Sequence, residues 1–509
     1  MKRSILILFY FLFVGSIFSM PQDEQDYLNQ IAHETWNFLE WNVSPVTALP
    51  YDGYPRGNQY TSVTNIGFYL ASLAVAHELG FISQEQVLTK AQKALTSIQK
   101  FKMRSGFIQS WNHPDTLEPS PDDPWISTLD SGNLAAGLIV LKELVPSVKH
   151  ECEALLTAMD WKVLFNPEKN LLYGGMKLAS GEINPHWHLE LLGADSRLAY
   201  VIAIGSDHVP SESWGVLSRA QEERYQQSYF TPGWQGGGLF MQHISGIFLD
   251  ERKTVLGQSA AQFAYAQILH AKLLNSPLWG WSASVDPKGG YLGWDHIQDE
   301  VVTPHASSFG LYYFPQDTIK NMKKLDEYGL RQAVILEDGS KLFLGYADAW
   351  NWQEQLKSSE RLTLDQAMLF LTLANVLKEG IIWQSFKKDL RIAKAMGCIK
   401  DYQLMENVSY FTKGYRGLYI RHIDDKWQVS CLNDGLEGIK DSFLSWAIYD
   451  ETLGQLVLKN KISVSIDSGE VFYHDIPIPN KEKTDFYIKA EWQDAQGQTL
   501  AKGDNLLHS

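Results

Sequence analysis

The feature that most constrains this chain is a change of hydrophobic period near residue 409: upstream, apolar residues recur every three to four positions, and downstream they alternate. Between Gln22 and Lys400 roughly a dozen segments carry the helical spacing. Ile66, Leu70, Leu73 and Ala74 fall on one helix face, and Gly80 sits where that helix would stop. Ser83 to Gln86 reads as a capping box opening the next helix. Thr363 to Gln366 reads as another, leading into Met368, Leu371 and Val376. Leu134, Leu138 and Leu141 repeat the spacing ahead of Pro146. Beyond Ser409, short β-branched or aromatic runs at 417–423, 427–431, 461–466 and 486–492 are separated by turn clusters.

These two halves predict a mainly α protein, a helical barrel of paired helices with a cleft at one end, followed by a small C-terminal β-sandwich. The expected boundaries are a leader over 1–20, the helical domain over 21–400 and the β-sandwich accessory domain over 401–509. The sandwich reads as a folding partner or lid for the barrel, with glycan binding as the sharper alternative. An α-solenoid is disfavoured because the sequence has no fixed-period repeat. Long connections at 113–125 and 284–304 are where a compact helical domain carries its function.

Composition narrows the partners. Hydrophobic residues make up 45% and charged residues 20%, the balance of a folded globular chain. The net charge is −15 without a basic run, which argues against nucleic acid and anionic membrane surfaces and suits a neutral glycan. Lys2 and Arg3, an apolar stretch over 5–14 and the small residues Gly15, Ser16 and Ser19 form a secretory signal pattern, so a periplasmic or secreted location is expected. Ile17 or Phe18 stands where a small residue is preferred, which leaves an uncleaved N-terminal anchor as the alternative. No later segment reaches the ~20 apolar residues of a membrane span. The cysteines, Cys152, Cys398 and Cys431, form neither a disulfide framework nor a CxxC pair and read as three buried thiols.

Seventeen tryptophans and 23 tyrosines supply flat apolar faces of the kind that pack on the C–H faces of sugar rings. Most belong to the core. Those in Gly-rich or polar loops are the cleft candidates: Trp111, Trp125, Trp187, Trp234, Trp281, Trp294 and Trp350. Asp130, just before a predicted helix, reads either as its N-cap or as a rigidly held catalytic carboxylate. Asp195 shares a helical stripe with Leu191, Leu198, Ala199 and Ile202. A carboxylate there must be paired, lie in a cleft or take a raised pKa, and the last is what a general acid requires. Arg197, two residues on, points elsewhere on the helix. His186 and His188 flank Trp187 without a third ligand nearby, so substrate contact or packing outweighs metal. Gly236 to Gly238 is not a nucleotide loop, and no G-x-S-x-G elbow occurs. No cofactor is expected.

Several stretches resemble the bacterial glycoamylase-like family, which includes endo-β-1,2-glucanases and the transglycosylase domain of cyclic β-1,2-glucan synthases. They are TSVTNIGFYLASL (61–73), ISTLDSGNLAAGLI (126–139), LLGADSRLAYVIAIGSDHVP (191–210) and GGGLFMQHISGIFLD (236–250). LWGWSASVDPKGGY (278–291), VVTPHASSFGLYYFP (301–315), GYADAWN (345–351) and LTLDQAMLFLTLANVLKEGIIW (362–383) continue the series in order. The resemblance implies an (α/α)6 barrel and glycosidase or transglycosidase activity on an oligo- or polysaccharide. Asp195 falls where the family carries a glutamate resembling its general acid, one methylene longer. Ala283 falls where the retaining transglycosylases carry a nucleophilic glutamate, which implies inversion, with carboxyl groups roughly 6.5–9.5 Å apart. Asp130 matches a shared aspartate and is the expected base or water-positioning residue. Asp348 is expected to bind substrate or stand as a reserve carboxylate, and Asp365 to cap or brace its helix. Trp111, Trp187, Trp234, Trp281 and His188 are expected substrate contacts, and the matching stretches add Gln242, His243, Asp286, His305 and Asn351, the order of Gln242 and His243 being reversed relative to the family. The reading is an exported, inverting glycoside hydrolase acting on a β-glucan, β-1,2-glucan first. A transglycosylase and a non-catalytic glycan-binding protein are the alternatives.

Overall fold

Helices that are apolar on every side must lie inside a protein, and those with one apolar stripe must coat it. Both kinds alternate along this chain. The structure, a computed structural model, describes residues 20–55, 59–233, 238–292, 299–335, 339–423, 426–451, 454–477 and 486–507, so the leader expected over 1–20 lies almost wholly outside the described residues. Among the described residues no helix is long and apolar enough to cross a membrane. The helices, in chain order, are α1 (Gln22–Trp41), α2 (Val63–Glu78), α3 (Gln84–Ile98), α4 (Thr128–Leu144), α5 (Lys149–Ala158), α6 (Arg197–Gly205) and α7 (Glu212–Val216). They continue with α8 (Leu239–His243), α9 (Val255–Leu274), α10 (Pro304–Ser308), α11 (Pro315–Glu327), α12 (Thr363–Leu377), α13 (Ile381–Phe386) and α14 (Leu390–Cys398).

α2, α4, α6 and α12 are buried along almost their whole length. α3 instead buries a single stripe of Val87, Ala91, Ala94, Leu95 and Ile98. The inner helices touch in the sequence α12–α2–α4–α6 and α8–α10–α12. Arg197, the first residue of α6, joins α6 to α8 by donating to the Gln242 carbonyl at 2.5 Å. Outside them, α1 packs on α12 and α2, α3 on α2, α5 on α4, α11 on α10 and α14 on α6.

Glycines set the inner spacing. A Cβ on Gly137 of α4 would lie 1.9 Å from the Gly67 carbonyl oxygen of α2, and one on Gly132 would lie 2.7 Å from the Ala199 nitrogen of α6. Backbones this close leave no room for a side chain, and they hold the starts of three helices side by side. Gly137→Val is therefore expected to lower stability by about 1–3 kcal/mol or more through overpacking. Urea unfolding checks this, and an unchanged midpoint would mean that the helix pair tolerates separation.

The Ser83 capping box forms as expected: Gln86 N–H donates to Ser83 Oγ at 3.2 Å and Ser83 N–H to Gln86 Oε1 at 2.8 Å. The box expected at Thr363 does not. Leu362 is the N-cap, because the Thr363 hydroxyl donates instead to the Tyr51 carbonyl at 2.6 Å and the Gln366 amide to the Tyr346 carbonyl at 3.2 Å. Long-range backbone acceptors have displaced the local pairing.

Past α14 the described residues form seven strands: β1 (Arg416–Ile423), β2 (Lys426–Asn433), β3 (Ile439–Asp450), β4 (Leu456–Ile466), β5 (Val471–Pro477), β6 (Phe486–Gln493) and β7 (Thr499–Leu507). They form two antiparallel sheets, ordered β1-β2-β5 and β4-β3-β6-β7. Alternate residues, among them Trp427, Val429, Leu444, Ile448, Ile488 and Trp492, make one apolar core. This part docks against α9: Asp434 accepts from Tyr265 Oη and Lys413 Nζ, both at 2.9 Å, and the Tyr473 hydroxyl donates to the Lys272 carbonyl. All three cysteines are free thiols, but only Cys152 and Cys431 are buried; Cys398, ending α14 on the outer surface, is exposed, which corrects the expectation of three buried thiols.

Candidate active site

The inner helices bring their N-terminal ends to one side of the molecule, and there the carboxylates gather. α4 starts with Ser127 as its cap, whose Oγ accepts from Asp130 N–H at 3.2 Å. Asp130 is thus in the first turn and is not the cap, which corrects one of its two readings. Its carboxylate accepts instead from Thr64 Oγ1 of α2 at 2.5 Å, and Thr64 in turn accepts from Asn133 Nδ2 at 3.0 Å. Burial raises the Asp130 pKa, opposed by the hydrogen bonds from Thr64 and Ser127.

Asp195 does not sit on a helical stripe, as the sequence pattern suggested; it occupies a turn just ahead of α6. The cause is Arg197, whose guanidinium donates to the Leu192 and Ala194 carbonyls at 3.2 and 2.8 Å and winds the chain around itself. Arg197 is otherwise committed to Glu251, with Nε–Oε1 and Nη2–Oε2 both 3.0 Å, so it does not pair with Asp195. Removal from water pushes the Asp195 carboxyl up to about 7; the charge of Asp130 adds to this, while its own backbone N–H and the more distant Arg197 oppose it.

Across the cluster lies a second pair. Asp348, buried, accepts from the backbone N–H of Val285 at 2.7 Å and of Leu362 at 3.1 Å. Asp365, in the first turn of α12, is hydrogen-bonded to it. Burial lifts both carboxyls, and the Asp348 charge lifts Asp365 well above the carboxylate range, so the two titrate as one pair. His305 Nδ1 lies 3.3 Å from Asp365 Oδ2, and burial pushes this imidazole down to about 3, leaving it neutral. Asp365 therefore does more than brace its helix.

Two groups here escape the sequence reading. Asp52 accepts from Asn65 Nδ2 at 2.9 Å, and its charge acts on Asp365. Its sole signal is an Asp-Gly pair, which reads as a turn. Tyr291 feels Asp365, Asp348, Asp52 and Asp195, and burial and those charges together drive its phenol upward. The cluster is thus several acceptors, a coupled carboxyl pair, the Asp195 carboxyl that titrates near neutrality and a phenol that stays neutral.

The other expected contacts divide. Trp111 is half-buried on a short strand whose partner is 61–62, beside the start of α2. Trp187 is half-buried over Gly174, edge-on to Trp125 at 6.0 Å. His188 is held by Asn166 Nδ2 at 3.0 Å and leans on Tyr173. Four residues expected to touch substrate do structural work instead. Gln242 is buried, donating to the Phe230 carbonyl at 2.6 Å and accepting from Ser259 Oγ at 2.9 Å. His243 is buried, with Nδ1 3.0 Å from the Leu239 carbonyl oxygen and its ring stacked on Phe309. Trp281 is buried and donates to the Asp299 carbonyl at 3.3 Å, and Asn351 closes a turn by accepting from the backbone N–H of Gln353 and Glu354. Asp286 accepts from Lys288 N–H at 2.7 Å in a hairpin turn, and Trp350 is fully buried. Trp234, Trp294, Gly236 and Gly237 lie outside the described residues. Among the described residues no group of three or more His, Cys, Asp or Glu side chains could hold a metal ion.

Comparison with known proteins adds to this geometry. Residues 191–389 match the glycoamylase family model, described as "Putative glucoamylase", and residues 30–200 match a model of a protein of unknown function, DUF3131. The cyclic β-(1,2)-glucan synthase NdvB of Rhizobium meliloti (strain 1021) is 21% identical over 465 residues. That alignment covers 61% of this chain, and the chain spans 16% of the length of that much larger relative. The endo-β-1,2-glucanase of Chitinophaga pinensis, solved with sophorotriose and glucose, superposes with a TM-score of 0.65 at 17% identity, over 74% of this chain and 98% of that one. The Talaromyces funiculosus endo-β-1,2-glucanase, solved with sophorose, gives 0.57 at 10% identity, over 76% of this chain and 92% of that one. The chain thus matches the glycoamylase-like family through residues 191–389, shares homology with the glucan synthase and has the fold of the endo-β-1,2-glucanases.

Proposed function

We propose that this protein is an exported glycoside hydrolase that cleaves a β-glucan with inversion, β-1,2-glucan first, in a cleft at the N-terminal ends of the inner helices of an (α/α)6 barrel, with the C-terminal strands forming a β-sandwich. The observation that carries the reading is Asp195, a partly exposed carboxyl lifted to about 7 beside Asp130. A group with that pKa is protonated often enough near neutrality to donate to a departing sugar oxygen, and general acid–base transfer of this kind contributes on the order of 10²–10⁴-fold. Asp130, tied to Thr64 and Ser127, orients or activates the attacking water, and Asp348, held by the Val285 and Leu362 N–H groups, is the reserve base. Ala283, buried and without a nucleophilic group, favours hydrolysis by water over transglycosylation. Trp111 and Trp187 offer half-buried ring faces for the sugar.

Product analysis tests this. Incubation with β-1,2-, β-1,3- and β-1,4-glucans, followed by proton NMR of the first products, is expected to show cleavage of the β-1,2 polymer and the α-anomer appearing first. A first-formed β-anomer would mean retention and remove the water-activating role from Asp130.

A further inference from the structure

The hairpin formed by 284–285 and 291–292 touches the carboxylate cluster through its backbone, by the 2.7 Å bond from Val285 N–H to Asp348 Oδ2. Its turn closes on itself. Asp286 N–H donates to the Gly290 carbonyl at 2.8 Å, Lys288 N–H to Asp286 Oδ1 at 2.7 Å, and Gly289 and Gly290 take φ of 96° and 92°. The tip is tied back by Lys288 Nζ to Glu354 Oε1 at 2.7 Å. Tyr291 is the cross-strand partner of Val285. It is thereby fixed one strand spacing from the residue that holds Asp348.

Tyr291 is 50% exposed, yet the charges of Asp365, Asp348, Asp52 and Asp195 all act on its phenol.

We propose that Tyr291 is a substrate-binding residue whose hydroxyl donates a hydrogen bond to an oxygen of the sugar held between Asp195 and Asp348. The inference rests on the glycosidase reading and extends it. Sugar hydroxyls donate readily to carboxylates, so Asp52, Asp130 and Asp348 satisfy the donors of a glycan. The ring and hydroxyl oxygens also need donors, which ionised carboxylates cannot supply. Asp348 and Asp365 are hydrogen-bonded to each other and keep any proton between them, and that of Asp195 is reserved for the leaving oxygen. A phenol that keeps its proton supplies the missing donor without adding charge.

Calorimetric titration of Asp195→Asn and of Asp195→Asn/Tyr291→Phe with sophorotriose, laminaritriose and cellotriose separates the possibilities without turnover. The best-bound trisaccharide is expected to bind roughly tenfold more weakly to the double variant. In the otherwise native enzyme, Tyr291→Phe is expected to raise KM by a similar factor, with kcat within about twofold and the unfolding midpoint unchanged. Equal binding by both proteins overturns the Tyr291 assignment alone. So does a loss seen with Tyr291→Ala but not with Tyr291→Phe, which would assign the ring face and not the hydroxyl. Failure of every trisaccharide to bind either protein overturns both this assignment and the glycosidase reading.

Discussion

Asp195→Asn is expected to cut turnover of a β-glucan by about 10²–10⁴-fold while leaving the unfolding free energy within about 1 kcal/mol of wild type. The asparagine keeps the size of the side chain and removes the proton that the proposed general acid gives to the leaving sugar oxygen. The effect should depend on the leaving group. An aryl glycoside, whose phenolate departs unaided, is expected to be hydrolysed by the variant at close to the wild-type rate. A uniform loss on both substrates would instead mean that Asp195 positions the sugar.

The pH profile gives an independent handle on the same residue. Burial and the Asp130 charge hold the Asp195 carboxyl at about 7, so its acid form dominates below that pH and is lost above it. Activity in the wild type should therefore fall about tenfold per unit on the alkaline side of about pH 7, and this limb should vanish in Asp195→Asn. Asp130→Asn removes one of the two causes of the shift. The Asp195 carboxyl should then titrate lower, moving the alkaline limb toward acid pH, in addition to whatever is lost through water activation. A limb that stays in place in Asp130→Asn would show that the two carboxyls do not communicate.

What the sequence made legible follows from how far each determinant reaches along the chain. Inner helices such as α2 and α4 were visible because the apolar period of Ile66 to Ala74 and Leu134 to Leu141 is local. The start of α6 was not, since the apolar pattern runs unbroken through 191–204, and the turn that sets Asp195 apart is imposed by Arg197 and a partner 54 residues away. Asp130 and Asp195 were both singled out and both stand at the carboxylate cluster, though each was picked for a partly mistaken local reason. Asp52 is brought to the cluster by a strand pairing and a Thr363 N–H bond that span some three hundred residues, which no local pattern reports. Gln242, His243 and Trp281 illustrate the converse: polar or aromatic residues beside a glycine-rich loop that turned out to satisfy buried backbone groups.

Arg197 carries the second large prediction. It and Glu251 are each almost fully buried, with Tyr402 Oη as a further partner of Glu251 at 3.1 Å. Arg197→Met leaves Glu251 uncompensated in the interior, and the expected loss is about 3–5 kcal/mol in urea unfolding. Arg197→Met/Glu251→Leu removes both charges and should recover most of that loss, because burying a pair already costs much of what its attraction returns. Activity should not recover with it. The guanidinium also holds the Leu192 and Ala194 carbonyls, the bonds that shape the turn bearing Asp195, and an apolar pair cannot replace those donors. A doubly substituted protein that is stable yet slow would tie the ion pair to the placement of the acid. Full recovery of both stability and rate would show that the turn forms without Arg197 and that the pair serves the core alone.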